Sequence, residues 1–149
     1  MYKQIVVGTD GSGSARVAVD AAIELAALTG ARLHVVHAHN VTKAAGLATS
    51  DIVLMQGAIA ESNDAVRGEG ERICAQAVET ARSAGVEAEG HCVGGGAADA
   101  LVRVAGDTNA DLIVVGNRGM TGARRMLGSV PNKVAHHCPT SILIVDTRD

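Results

Sequence analysis

Aromatic side chains are almost missing from this chain. Of 149 residues, Tyr2 is the one aromatic, with no tryptophan and no phenylalanine. The stacking platforms on which single-stranded nucleic acids lie are therefore excluded. There is no excess of positive charge either. A formal net charge of −3 argues against non-specific binding to nucleic acid. No apolar run approaches the roughly 20 residues that span a bilayer, and "MYKQIVVGTDGS" enters a strand at once, without a signal-peptide hydrophobic region. The three cysteines, Cys74, Cys92 and Cys138, are odd in number, widely spaced and form no CxxC, which excludes a disulfide framework and fits reduced thiols in the cytoplasm. With only two prolines and 47% hydrophobic residues, the chain is neither disordered nor membrane-like.

What is present is small and aliphatic. A core without aromatics is built from Val, Leu, Ile and Ala, and such side chains suit helices lying close on a sheet. The pattern alternates strand and helix along the whole chain, which is expected to form one domain over residues 1–149. "QIVVG" (β1, Gln4–Gly8) reads as a strand buried on both faces. Ser12 or Ser14 caps a helix (α1) with apolar positions Val17, Ala21, Leu25 and Leu28, ending at Gly30. Ala31–Ala38 is the second strand (β2). A helix at about Val66–Ala84 (α2) carries Ile73, Ala77 and Ala81 on one face, with Gly68 and Gly70 weakening its start. Val86–Val93 (β3) alternates like a half-buried edge strand. Ala98–Thr108 (α3) turns Leu101, Val104 and Ala105 inward, and Asp111–Gly116 (β4) is again apolar throughout. Ser129 caps a short helix to about His137 (α4), Pro139 ends it, and Ser141–Asp146 (β5) follows. This order predicts a doubly wound α/β domain. Its five-stranded parallel sheet has order 3-2-1-4-5 and carries helices on both faces.

In such a sheet the switch point lies between β1 and β4, and ligands bind beyond the carboxyl ends of those strands. Two glycine-rich loops converge there: "GTDGSGS" (Gly8–Ser14) and "GNRG" (Gly116–Gly119). Further on, Gly128, Ser129 and Val130 open α4, where free backbone N–H groups and the helix dipole favour an anion. Arg118, Arg124 and Arg125 add charge suited to phosphate. The bland alternative is that the glycines turn the chain, Ser129 only caps and the arginines are solvated. Familiar phosphate loops do not fit: Gly8 and Gly13 have the P-loop gap, but Ser14 stands in the lysine position. Asp10 either accepts hydrogen bonds from a base or ribose, or caps α1.

The openings "IVVGTDGS" and "ADLIVVGNRG", with the closing "GSVPNKVAHHCPTSILIV", resemble the nucleotide-binding branch of the universal stress protein family over essentially the whole chain. The resemblance implies an adenine nucleotide alpha hydrolase-like fold and a homodimer through the β5 edge. It implies an adenine nucleotide as ligand, ATP foremost, with AMP, ADP or cyclic AMP as alternatives and Mg2+ an option alongside ATP. Gly116, Gly119, Gly128 and Ser129 would hold the phosphates and ribose, while Asp10 and the backbone near Ala38 would face the adenine. Gly8, Thr9, Asn117, Arg118, Met120, Gly122 and Val130 complete the implied site. The family spacing G-x2-G-x9-G-[ST] is one residue longer than here, where eight residues separate Gly119 from Gly128.

No nucleophile–base–orienter set is visible, so a nucleotide-responsive stress regulator is expected rather than an efficient enzyme. The alternatives are a nucleotide-independent dimeric interaction protein or a slow ATPase. His37 and His39 share a face at the end of β2, with His34 on the other. Without a carboxylate or cysteine at ligand spacing, no metal is expected there. His136 and His137, at the end of α4, read as structural. The segment Ser50–Glu61, "SDIVLMQGAIAE", reads as a lid, a dimer contact or a plain core helix.

Overall fold

The computed structural model describes residues 1–40, 51–117 and 130–147, with the side chains of 51–54 outside that description. Among the described residues nine elements alternate: β1 (Gln4–Gly8), α1 (Gly13–Thr29), β2 (Arg32–His39), α2 (Asp51–Ser83), β3 (Ala88–Gly94), α3 (Ala97–Asp107), β4 (Leu112–Gly116), α4 (Val130–His137) and β5 (Ser141–Val145). All pairings are parallel, and the strand order is β3-β2-β1-β4-β5. The sheet is the one expected, with β1 and β4 as central neighbours. Both are buried along their lengths because helices cover both faces.

Strand alternation divides the interior in two. Ile5, Val7, Leu33, Val35, Leu112 and Val114 point to one face and pack against α1 and α2. Val6, Val36, Ile113 and Val115 point to the other and meet α3 and α4 through Leu101, Val104 and Val134. No aromatic is needed, because alanines at Ala18, Ala22 and Ala26 let α1 lie low over the strands.

Two expectations about the helices are corrected. The buried stripe of α1 is Ala18, Val19, Ala22, Ile23 and Ala26, while Val17 is 43% and Leu28 76% exposed. The expected stripe was rotated by about one residue, roughly 100° of helix, because it followed the larger side chains where the sheet demanded the smaller. In α2 Ala81 is buried as expected, but its other buried residues are Gly70, Cys74 and Val78, with Ile73 and Ala77 only half-buried. The second correction concerns length: α2 begins at Asp51, far upstream of the expected start, and runs through Gly57, Gly68 and Gly70. Ion pairs between Arg67 and Glu71 (3.0 Å) and between Glu69 and Arg72 (2.7 Å) support the helix across the glycines. Within the stretch Ser50–Glu61, residues 55–58 are exposed, Met55 at 63%, and Ile59 is half-buried, while the side chains of 51–54 lie outside the described residues. Among the described residues, no helix is long and apolar enough to cross a membrane.

Candidate functional site

The end of β1 is held open by its own turn. Gly11 adopts φ +78°, a conformation that favours glycine. Its amide donates to Thr9 Oγ1 (3.2 Å), and the Ser12 amide donates to Asp10 Oδ1 (2.9 Å). Ser12 rather than Ser14 is the N-cap of α1, its hydroxyl accepting from the Ala15 amide at 3.2 Å. From the other side, Thr9 N donates to Val36 O and His37 Nδ1 donates to Thr9 O, both at 2.9 Å. The loop is thus tied to β2 before any ligand arrives.

Beyond these strand ends lies a cavity of about 230 Å3. Gly8, Thr9, Asp10, Ser12, Ser14 and Ala15 form one side, and Val36, Ala38, Val115 and Gly116 contribute from β2 and β4. Ala97 and Leu101 of α3 and Val130 and Pro131 of α4 close it. The floor is low because Gly8 has no side chain: a Cβ there would stand 3.3 Å from the Leu101 methyls. Apolar walls at Val36, Ala38, Leu101 and Val130 face hydroxyls and a carboxylate at Thr9, Ser12, Ser14 and Asp10. That arrangement suits a small ligand with an apolar part and a polar part. A second hollow of about 340 Å3 lies between α1 and α2, among Arg16, Asp20, Gln76 and Thr80. It is larger and touches Thr9, Gly11 and Ser12 of the loop after β1, but the rest of its lining is the flanks of α1 and α2 and nothing of β4, so the cavity between the ends of β1 and β4 is the stronger candidate.

Of the residues expected at a site, Gly8, Thr9, Asp10, Ala38, Gly116 and Val130 line this cavity together. Asn117 does not. Its Nδ2 donates to Asp146 Oδ1 (2.8 Å), and its Oδ1 accepts from the amide and hydroxyl of Thr147 (2.9 and 3.0 Å). This side chain locks the exit of β4 to that of β5. Gly116 has a packing reason too, since a Cβ there would meet Thr147 Cγ2 at 2.9 Å. Arg118, Gly119, Met120, Gly122, Gly128 and Ser129, with Arg124 and Arg125, lie outside the described residues. Sequence reading missed Val36, Val115, Ala97, Leu101 and Pro131. Strand parity alone would have found the first two, because both point to the α3 face near a strand end.

Three further histidine and cysteine side chains, His137, His39 and Cys92, are accounted for locally. His137 Nδ1 donates to Lys133 O (2.8 Å), capping the last turn of α4. His39 Nδ1 lies 3.5 Å from Cys92 Sγ. Burial, followed by Glu71, pushes the Cys92 thiol up, so it is not an activated thiolate.

Residues 1–146 match the universal stress protein family. Universal stress protein Rv1636 of Mycobacterium tuberculosis H37Rv is 37% identical, the alignment covering 98% of this chain and 97% of that protein. Universal stress protein YxiE of Bacillus subtilis is 35% identical over 97% of this chain and 99% of its own. Among solved structures, a universal stress protein in complex with cAMP superposes with a TM-score of 0.76 at 36% identity, covering 99% of each chain.

Proposed function

The chain belongs to the universal stress protein family, and on that premise we propose that it binds an adenine nucleotide, ATP foremost, in the strand-end cavity and acts as a nucleotide-responsive regulator. The observation that carries this reading is the cavity itself, walled by Val36, Ala38 and Leu101 and rimmed by Thr9, Asp10 and Ser12. Its apolar wall suits an adenine and its hydroxyl rim a ribose. A relative 36% identical, solved with cAMP, supports an adenine nucleotide as the ligand class. Gly116 and Val130, with Arg118, Gly119, Met120, Gly122, Gly128 and Ser129 of the intervening loop, would receive the phosphates, with Mg2+ accompanying ATP. Occupancy would bias the arrangement of that loop, and a partner would read the change. Free thiols at Cys74, Cys92 and Cys138 fit a cytoplasmic setting.

Calorimetric titration with ATP, AMP and cyclic AMP tests the reading on three proteins: the native chain, Ala38→Leu, and Gly128→Leu. Saturable binding by the native chain, weakened at least tenfold by Ala38→Leu as the cavity fills, is expected (about 1.4 kcal/mol or more). Failure of all three nucleotides to bind the native chain would remove the nucleotide. Undiminished binding by both variants would remove this cavity and loop as its place.

A second reading concerns assembly. β5 sits at a sheet edge with Leu143 39% and Ile144 42% exposed. Unpaired edges attract further strands, and a homodimer through the β5 edges would cover both side chains.

A further inference from the structure

We propose that His34, Glu89 and His91 form a binding site for a divalent transition-metal ion of the zinc class, clamping the edge strand β3 to β2. In the chain His34 lies more than fifty positions from Glu89 and His91. The parallel register places Glu89 opposite His34 and His91 opposite Val36. Strand alternation then turns all three side chains to the face that carries α3 and α4. His34 Nδ1 and His91 Nε2 stand 3.0 Å apart, and the donor atoms of all three residues lie within 4.8 Å of one another. Two nitrogens bound tetrahedrally to zinc at about 2.0–2.1 Å are separated by about 3.3 Å. The pair needs only a few tenths of an ångström of adjustment, and the exposed Glu89 carboxylate is free to swing in.

Hydrogen bonding has already selected the donor atom on His34. Its Nε2 lies 2.8 Å from Gln4 Oε1, an amide oxygen that can only accept. The hydrogen therefore sits on Nε2, and the Nδ1 lone pair points towards His91. A histidine whose second ring nitrogen donates to a carbonyl oxygen is the usual arrangement for a metal ligand. At present His91 Nε2–H donates to that lone pair. On binding, His91 moves its hydrogen to Nδ1 and offers Nε2 instead, with no net proton released. Glu89 supplies the charge. Arg32, the nearby cation, is paired with Glu87 at 2.9 Å and leaves Glu89 available. Two imidazoles and one carboxylate suit Zn2+, Ni2+ or Co2+ rather than Mg2+ or Ca2+, and a fourth position remains for water.

The test is calorimetric titration of the EDTA-treated full chain with Zn2+, repeated with Co2+ to read the visible absorption of its bound form. Glu89→Gln and His91→Asn probe the site, and Cys92→Ser and the double variant His136→Asn/His137→Asn serve as controls. One saturable site per chain is expected, weakened at least about tenfold by either site variant and unchanged in both controls. Zn2+ should also raise the unfolding temperature of the native chain and not that of Glu89→Gln, because only a ligand of the folded state stabilises it. Absence of saturable uptake overturns the proposal. So does unchanged affinity in Glu89→Gln and His91→Asn, or loss confined to the control variants. Nucleotide is absent throughout, so the outcome stands apart from the fate of the nucleotide reading.

Discussion

Glycine 70 shows how one residue can contradict its own local preference. Glycine is poor in a helix interior, and replacing an exposed one with alanine is usually favourable by about 1 kcal/mol. At Gly68, where an added Cβ meets nothing within 4 Å, Gly68→Ala is expected to stabilise by roughly that amount in urea unfolding. Two residues on, the sign reverses. A Cβ on Gly70 would lie 2.5 Å from His37 Cδ2 and 2.7 Å from Cys92 Sγ, and the His37 ring is anchored by its bond to Thr9 O. Gly70→Ala should therefore destabilise by roughly 1–3 kcal/mol in the same measurement, and a stabilising result would mean that α2 does not lie this close to the sheet. Cys74 illustrates burial acting on ionisation. At 4% exposure its thiol is pushed up from 9.0 to about 11. The folded state then holds a proton that the unfolded state releases between those values. Stability from this group is complete below pH 9 and is lost as pH rises towards 11, up to roughly 2–3 kcal/mol. Alkylation at pH 8 should label Cys92 and Cys138 and spare Cys74 until the protein is denatured. Rapid labelling of Cys74 in the native chain would contradict its burial.

At the scale of elements, α2 divides into two functional lengths. Its C-terminal part docks through Cys74, Val78 and Ala81, whereas Met55 and Val66 are exposed. Amide exchange should follow this division, with strong protection over 73–81 and weak protection over 55–66. Uniform protection would require a covering partner on the exposed part, such as a second copy. This division was not legible in the sequence. Gly68 and Gly70 read as a weakened helix start when propensity is taken alone, but Gly70 marks the place where the helix needs no side chain to pass His37 and Cys92. The stripes of α1 and α2 were misread for a related reason. Periodicity locates an apolar face, but the spacing between helix and sheet decides whether alanine or leucine occupies it. Strands were read more faithfully, as with "QIVVG" and "DLIVVG", because two-sided burial leaves little choice of residue.

For the molecule as a whole, the sheet order brings the carboxyl ends of β1 and β4 together at the cavity and leaves β3 and β5 as edges. The two edges differ in chemistry. β3 presents Glu89 and His91 beside His34, while β5 presents Leu143 and Ile144. If β5 joins two copies, Ile144→Asp should halve the sedimenting mass without changing the helix content. A native chain that sediments as a monomer at micromolar concentration would discard that interface.

The alternation of short β-branched runs with alanine-rich helices determined the α/β class, the strand order and the strand ends at which the cavity opens. Each of these follows from local burial and from the handedness of parallel connections. The glycine-rich loop after β1 was legible for the same reason, since a left-handed turn at Gly11 favours glycine. Only the tertiary structure decided that Asn117 ties β4 to β5, that Gly70 is a contact and not a weakened helix start, and that His34 meets Glu89 and His91. Those relations join residues distant along the chain, and strand register and helix height, the quantities that set them, exist only once the sheet is assembled.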